Sequence, residues 1–465
     1  MLEAEADDGN TERVALLAHH FLRSDNRRKA IEKLLSAARH AEQLPSYRTA
    51  TDFYRQAWEI GYASLAEGAE VDDDFRRLVL SAALDLCRMA VVFTAPDSVD
   101  VENAARVGSD LAEALGDMQS LAGFRTYHGM IVMSGRRERF AEGLVLVESG
   151  YALAEQHQFR EAALSISRAL AFSYLFDGNI EKARRISVRV RDALEAAGHR
   201  ERLTDLYFGT RWMVNSVLLY GGDDFPAAIA DALETHELAV RANNRTTTSG
   251  MASVLAHLHF ICGDYAEAKR WSEQSLEIAE VIGNVATIRI AASVALAARR
   301  ELGEAVNAER YLRPLEDGFA MASNLALYVR LIVDVLLSVG EVALAERAAR
   351  LAYERAGGRL RDMLARQALG DVLTYLGVER HAEAAQCFTE VSELARAIGL
   401  RSMTAHAHLG LGRLAVLAGD RVGREHHLVE ARAVFRELGL RRYAERAERW
   451  LADAEAPSGL LAQSA

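Results

Sequence analysis

The chain has few prolines and cysteines for its length. Its 465 residues include 5 prolines and 3 cysteines, against 32 glycines and 50% hydrophobic residues. No Asn-Gly or Asp-Gly turn lies between alternating apolar runs, and together with the shortage of proline this argues against a β-sandwich or a β-barrel. A disordered chain is excluded because this apolar content can offset the entropy lost when the backbone is ordered.

The chain has no excess of positive charge and no long apolar run. The formal net charge is −11 and the isoelectric point is near 5.8. We expect no nucleic-acid partner, because an acidic chain lacks the basic surface that neutralises phosphates. We expect no membrane partner either, because no apolar run reaches the roughly 18 residues of a membrane span. The acidic start MLEAEADDGNTE does not resemble a signal peptide, so the sequence predicts a cytoplasmic protein.

The short motifs of catalysis and nucleotide binding are missing. There is no GxxxxGK[ST] phosphate loop, no HExxH or CxxC metal motif and no Gly-x-Ser-x-Gly elbow. The three cysteines are far apart, and we expect free, buried thiols. The sequence therefore predicts that the protein is not an enzyme and holds no cofactor.

Histidines in close pairs are the remaining candidates for a metal site. They are His19-His20, His257/His259, His406/His408 and His426-His427. Residues two apart on a helix point about 200° apart, so the two spaced pairs cannot close on one ion. We therefore favour structural or surface histidines, with no bound metal.

Glycines recur between apolar helical stretches at intervals of 37 to 44 residues. They are Gly178, Gly222, Gly263, Gly303, Gly340, Gly377 and Gly419. The first five are each followed, five residues later, by an alanine: Ala183, Ala227, Ala268, Ala308 and Ala345. Glycine allows the positive φ that ends one helix, and alanine lets the returning helix approach closely. Each interval predicts one helical hairpin, and the hairpins must stack because none can bury its apolar face alone.

The best-formed unit, residues 251–284, resembles a tetratricopeptide repeat in its longer form. The resemblance extends over about residues 136–437. It includes small residues seven positions before the turn glycine, namely Ala171, Ala256, Gly370 and Gly412. Asn215, Leu296 and Val333 depart from that pattern. The resemblance implies an all-α, right-handed α-solenoid of tetratricopeptide-like hairpins.

The ends of the chain are less regular. We predict a helical extension over residues 1–95, the solenoid over 96–440, a capping helix over 441–456 and a disordered tail over 457–465. The boundary at residue 95 rests on the stretch Ala95-Pro96-Asp97. Two small-large-small patterns predict hairpins in the extension, Ala30-Leu34-Ala37 and Ala50-Tyr54-Ala57.

Two segments are similar to parts of large bacterial signalling ATPases. LAHHFLRSDNRRKAIEKLLSAARHA resembles the helical segment after the ATPase module, and the stretch from AHAHLGLGRL to AERWLA resembles the last repeats. These proteins join a cyclase or a helix-turn-helix domain to a nucleotide-binding switch and a long tetratricopeptide arm. This chain matches the arm alone, so the resemblance implies a sensory or scaffolding arm.

In the tetratricopeptide family, outward residues of the first helix of each hairpin line the concave groove. The resemblance implies that a ligand contacts Arg168, Trp212, Tyr220, His257, Arg300, Arg330, Asp334, Gln367, Asp371, Tyr375 and Arg413. Arginine and aromatic side chains dominate the energetics of protein interfaces. The simpler interpretations are an ion pair within one helix for Arg330 and Asp334, and packing between repeats for Trp212 and Tyr220.

We predict a non-enzymatic scaffold that binds a protein or peptide in this groove, in bacterial signalling or transcriptional regulation. The alternative is a regulatory arm that senses a small molecule and acts in trans on an ATPase, a cyclase or a transcription factor. An apolar pocket closed by aromatic side chains favours the arm, whereas an open polar groove favours the scaffold. The sequence does not indicate a homo-oligomer.

Overall fold

A computed structural model describes residues 26–43, 47–67, 71–92, 99–196, 204–221, 223–316 and 325–452. Over these ranges the chain is all-α, with 21 α-helices and no strand. In chain order the helices are α1 (Arg27–Gln43), α2 (Tyr47–Ala66), α3 (Asp73–Val92), α4 (Val99–Ala114), α5 (Met118–Gly135), α6 (Phe140–Gln156), α7 (Arg160–Phe176), α8 (Ile180–Ala196), α9 (Thr204–Gly221), α10 (Phe225–Arg241), α11 (Arg245–Ile261), α12 (Tyr265–Ile282), α13 (Val285–Glu301), α14 (Ala308–Glu316), α15 (Leu325–Ser338), α16 (Val342–Arg355), α17 (Arg359–Leu373), α18 (His381–Ile398), α19 (Arg401–Ala418), α20 (Arg421–Glu437) and α21 (Arg441–Ala452). None of them is both long enough and apolar enough to cross a lipid bilayer.

Contacts divide the chain into two compact units, Met1–Leu170 and Ala171–Ala465, so that the division falls within α7. In the first unit both small-large-small patterns are buried. Leu34 of α1 is 2% exposed and Tyr54 of α2 is 0% exposed, and the alanines of both patterns are fully buried. Ala95-Pro96-Asp97 and the predicted tail lie outside the described residues.

The hairpin turns follow the predicted glycines. Six of the seven have φ between +71° and +129°, and Gly222 lies outside the described residues. At Gly263 the turn is closed by the Asp264 amide, which donates to the His259 carbonyl at 2.8 Å. The Asp264 side chain then caps α12 by accepting a hydrogen bond from the Glu267 amide.

The alanines that follow the turn glycines are buried in most hairpins. Ala183, Ala268 and Ala345 are 0% exposed. After Gly222 the buried alanine is Ala228, one residue later than predicted, and Ala308 is half-buried. Asn215, which departs from the small-residue pattern, lies on α9 of the same hairpin. Its side-chain amide donates to the Ala228 carbonyl at 2.7 Å.

Within the second unit, hydrogen bonds join residues 179 to 182 positions apart. Arg359 Nε, at the start of α17, donates to the Asp177 carbonyl at 2.8 Å. The Ser402 amide, at the start of α19, donates to Asp223 Oδ2 at 2.8 Å. Arg441 Nε, at the start of α21, donates to the Cys262 carbonyl at 2.9 Å. The turns of three successive hairpins therefore contact the starts of three later helices, α17, α19 and α21, at a nearly constant offset, which holds the second unit closed on itself.

Candidate functional site

The interior of the second unit is lined by polar and aromatic side chains from α15, α17, α19 and α21. Eight of them form what we call the interior cluster: Arg330, Asp334, Gln367, Asp371, His406, Arg413, Tyr443 and Arg446. They surround a cavity of about 30 Å³. This volume has room for about two water molecules.

Asp334 is the most strongly paired carboxylate of the cluster. It accepts hydrogen bonds from Arg446 at 2.8 Å and from Arg442 at 3.1 Å, both in α21. Burial raises the pKa of Asp334, but the two guanidiniums outweigh burial and bring it well below its usual range. Arg442 also pairs with Glu301 at the end of α13. The terminal helix is therefore joined to α13 and α15 by ion pairs of the buried Arg442.

Arg330 joins the cluster through α19 and α21. Its Nη1 donates to His406 Nε2 at 2.9 Å and to Tyr443 Oη at 3.3 Å. Burial, and then the charge of Arg330, holds the pKa of His406 well below its usual value. The His406 ring is therefore neutral at pH 7 and can accept a hydrogen bond from the guanidinium.

Asp371 and Arg413 form the second ion pair of the cluster. Arg413 Nη2 donates to the Asp371 carbonyl at 3.0 Å and to its carboxylate at 3.3 Å. Gln367 donates to the other carboxylate oxygen at 3.2 Å. The guanidinium of Arg413 lies 5.0 Å from the ring centre of Tyr375 and 5.7 Å from that of Trp450. Burial raises the pKa of Asp371 in spite of Arg413, so this carboxylate is less fully compensated than Asp334.

A second cavity of about 40 Å³ adjoins the first, because Arg330, His406 and Tyr443 line both. His257 and Tyr220 face it from α11 and α9. Burial, followed by the charge of Arg330, lowers the pKa of His257 to about 3. Its Nε2 has no hydrogen-bond partner among the described residues. Both cavities are small. The lining of the first is mainly polar. The lining of the second is mainly apolar and aromatic.

Eight of the eleven predicted groove residues lie around these two cavities. Six line the first, namely Arg330, Asp334, Gln367, Asp371, Tyr375 and Arg413. Tyr220 and His257 line the second. The ion pair expected within α15 is wrong, because Asp334 pairs with α21 while Arg330 bonds His406 and Tyr443.

The other three predicted residues lie elsewhere. Arg168 belongs to the first unit, on α7. Trp212 packs over Gly250 of α11, where a Cβ would collide with its ring, so packing between repeats is confirmed for this residue. Arg300 is exposed and donates to the Ser338 carbonyl at 2.8 Å.

The groove prediction did not include His406 or three residues of α21 that lie at this site, namely Tyr443, Arg446 and Trp450. The groove positions were counted back from each turn glycine. This procedure does not cover α21, because no predicted turn glycine follows it. The spacing Arg442-x-x-x-Arg446 was a usable signal, since it places two guanidiniums on one helical face.

The second unit consists of antiparallel helical pairs. Glycines with positive φ form the turns, and small residues pack between the helices. Its fold is a tetratricopeptide-like helical repeat. No family model matches the chain, and no curated protein matches its sequence.

This tetratricopeptide-like chain is similar in fold to several solved structures. One is the apo form of the quorum sensor NprR from B. thuringiensis, 14% identical, with a TM-score of 0.41 over 80% of this chain and 99% of that one. Another is a Rap protein complexed with Competence and Sporulation Factor, 14% identical, with a TM-score of 0.42 over 94% of this chain and 99% of that one. A third is a signal transduction ATPase with a tetratricopeptide repeat sensor from Pyrococcus horikoshii. It is 13% identical, with a TM-score of 0.40 over 89% of this chain and 55% of that one.

Proposed function

We propose that this chain is a non-enzymatic regulatory scaffold whose second unit binds a helical segment of a protein or peptide partner in its interior. The observation that carries the proposal is the pairing of Asp334 with Arg442 and Arg446 of α21. These charges come from a helix more than 100 residues later in the chain, not from the hairpin of Asp334. The interior therefore already holds an amphipathic helix with arginine and aromatic side chains.

The chemistry of α21 indicates the chemistry of the partner. Its helix presents Arg442, Tyr443, Arg446 and Trp450 to the interior. Helices bind in grooves through side chains spaced about one turn apart, and arginine with aromatic residues supplies the strongest anchors. We propose that a partner helix with the same pattern competes with α21 for the acidic side chain of Asp334.

The size of the cavities favours a peptide over a small molecule. At about 30 and 40 Å³ they hold about two and three water molecules. A drug-sized ligand needs a pocket of about 300 Å³ or more. Removal of α21 from its position would open a site of helical dimensions, whereas neither of these two cavities has space for a drug-sized ligand. The proposed setting, bacterial signalling or transcriptional regulation, rests on the resemblance to the arms of signalling ATPases.

The test uses the full chain with a loosened terminal helix and a peptide probe. Arg446→Ala combined with Trp450→Ala removes one partner of Asp334 and one aromatic anchor. A fluorescein-labelled peptide with the sequence of residues 441–452 is then titrated against this variant and against the unchanged chain. We expect micromolar binding to the variant and little binding to the unchanged chain, where the tethered α21 competes at a high effective concentration.

Two controls make the result specific. A peptide with glutamate in place of Arg442 and Arg446 should bind at least tenfold more weakly. Asp334→Asn in the loosened chain should also weaken the binding of the original peptide by tenfold or more. If a loosened chain with an unchanged helical circular dichroism spectrum binds neither peptide, or binds both equally, the proposal is wrong.

A further inference from the structure

Three histidines of the second unit meet between α19 and α20. His408 lies on α19, and His426 and His427 lie next to each other on α20. One nitrogen from each ring can be chosen so that all three lie within 4.8 Å of one another. The Nδ1 atoms of His408 and His427 are 3.1 Å apart. Among the described residues this is the one group of three histidine, cysteine or acidic side chains with such spacing.

The hairpin explains why these rings converge. Gly412, one turn after His408, faces the Leu428 side chain so closely that a Cβ would collide with it. The missing Cβ lets α19 and α20 approach, which brings His408 against the residues just before Leu428. Neighbouring residues on a helix are about 100° apart, so His426 and His427 can both turn toward one point across the hairpin. The three rings come from two helices, so spacing along one helix does not predict that they meet.

The spacing suits a metal ion with imidazole ligands. Tetrahedral zinc binds histidine nitrogens at about 2.0–2.1 Å, which places two such nitrogens about 3.4 Å apart. The His408–His427 distance is close to this value, and rotation of the His426 ring would bring its nitrogen nearer. A neutral imidazole ring offers one nitrogen lone pair to a metal ion.

Ring positions alone leave one structural alternative. Two facing Nδ1 atoms can share a hydrogen bond if one ring is the donor, and the ring centres lie 4.9 to 5.9 Å apart, as in tilted or edge-to-face aromatic pairs. A plain histidine contact of this kind explains His408 and His427. It does not require the exposed His426, whose ring adds a third nitrogen on the solvent side.

We propose that His408, His426 and His427 form a zinc site that links α19 to α20, with three imidazole ligands and a fourth position open to water. Three protein ligands with an open position are a common arrangement for zinc. The site is independent of the proposed peptide binding, because none of its ligands lines either interior cavity. Zinc bound there would hold the last complete hairpin together.

The test is calorimetric titration of zinc chloride into the full, tag-free chain in a buffer that does not chelate metals. We expect one equivalent to bind with a Kd in the micromolar range or below. His426→Gln should weaken binding at least tenfold, and because this side chain is exposed, the fold should be unaffected. His157→Gln changes an exposed histidine of the first unit and is the matched control, with no expected effect.

A spectroscopic readout distinguishes this site from scattered surface binding. Cobalt(II) in place of zinc should give the intense visible absorption of a tetrahedral ion in the unchanged chain and in His157→Gln. The signal should be lost in His408→Gln and His427→Gln. Absence of saturable zinc binding, or zinc binding that is the same in all four variants, would overturn the proposal.

Discussion

The carboxylate of Asp334 in α15 lies 2.8 Å from the guanidinium of Arg446 in α21, across 112 residues of sequence. Arg446 is 17% exposed and so is Asp334, which makes this a largely buried pair. Such pairs are asymmetric in their energetics, because a charge left without its partner costs more than the pair contributes.

We therefore expect Asp334→Ala to lower the free energy of unfolding by about 3–5 kcal/mol, since two buried guanidiniums lose their shared partner. Asp334→Ala with Arg446→Ala should lose less than the sum of the single variants, by about 0.5–3 kcal/mol. Urea unfolding followed by circular dichroism measures these differences. The exposed pair of Arg436 and Glu448, 2.5 Å apart, is the control, and Glu448→Ala should cost less than about 1 kcal/mol. Strict additivity of the two single variants would contradict the direct coupling.

The turn glycines allow a matched comparison. Gly263 and Gly419 have φ of +76° and +71°, so alanine meets similar backbone strain at both. A Cβ on Gly263 would lie 3.3 Å from Arg441 Cβ, whereas nothing lies within 4 Å of one on Gly419. Gly263→Ala should therefore destabilise the protein by about 1 kcal/mol more than Gly419→Ala. Equal melting temperatures for the two variants would mean that the contact between the turn and α21 contributes little.

Ala268 tests the packing of the best-formed hairpin. It is fully buried on α12, at the point where this helix returns against α11. Ala268→Leu should overpack the hairpin and lower the free energy of unfolding by about 1–3 kcal/mol. Ala266, two residues earlier, is exposed, and Ala266→Leu should change stability by less than about 0.5 kcal/mol. Unchanged unfolding of Ala268→Leu would show that the assigned register is wrong.

Two buried histidines predict loss of stability in mild acid. The pKa of His257 is lowered to about 3 and that of His406 is well below its usual value, both first through burial. The folded protein keeps these rings neutral, whereas the unfolded chain binds a proton at each near pH 6.5. Their contribution is therefore complete above about pH 6.5 and is lost progressively as the pH falls toward the lowered values.

We expect His257 to remove about 2 kcal/mol of stability between pH 6.5 and pH 5, and His406 to lower stability in the same direction. Urea unfolding across this range measures the loss. His257→Leu should flatten the pH dependence by about one proton, and His157→Gln on the surface should leave it unchanged. A pH profile that is the same for all three proteins would contradict a neutral, buried His257.

Most of the fold was predictable from sequence because it depends on local patterns. Gly263 and Ala268, five residues apart, specify the end of one helix and the close return of the next without reference to the rest of the chain. The interior was predictable in part. The positions of Asp334 and Asp371 follow from the hairpin register, but their partners Arg446 and Arg413 depend on how hairpins stack. The one-residue shift from Ala227 to Ala228 was not predicted either. In this hairpin the side chain of Asn215 donates a hydrogen bond to the Ala228 carbonyl.

The hydrogen bonds between residues about 180 apart have a consequence for synthesis of the chain. Arg359 must emerge before it can reach Asp177, and Arg441 must emerge before it can reach Cys262. At about 5–20 residues per second this delay is about 10–40 s. Individual hairpins are local and can form on the ribosome, but each closing contact joins segments of high sequence separation, which slows folding. During this interval the turns of the early hairpins of the second unit lack their later partners and stay exposed. A chaperone would bind the chain at this stage of synthesis.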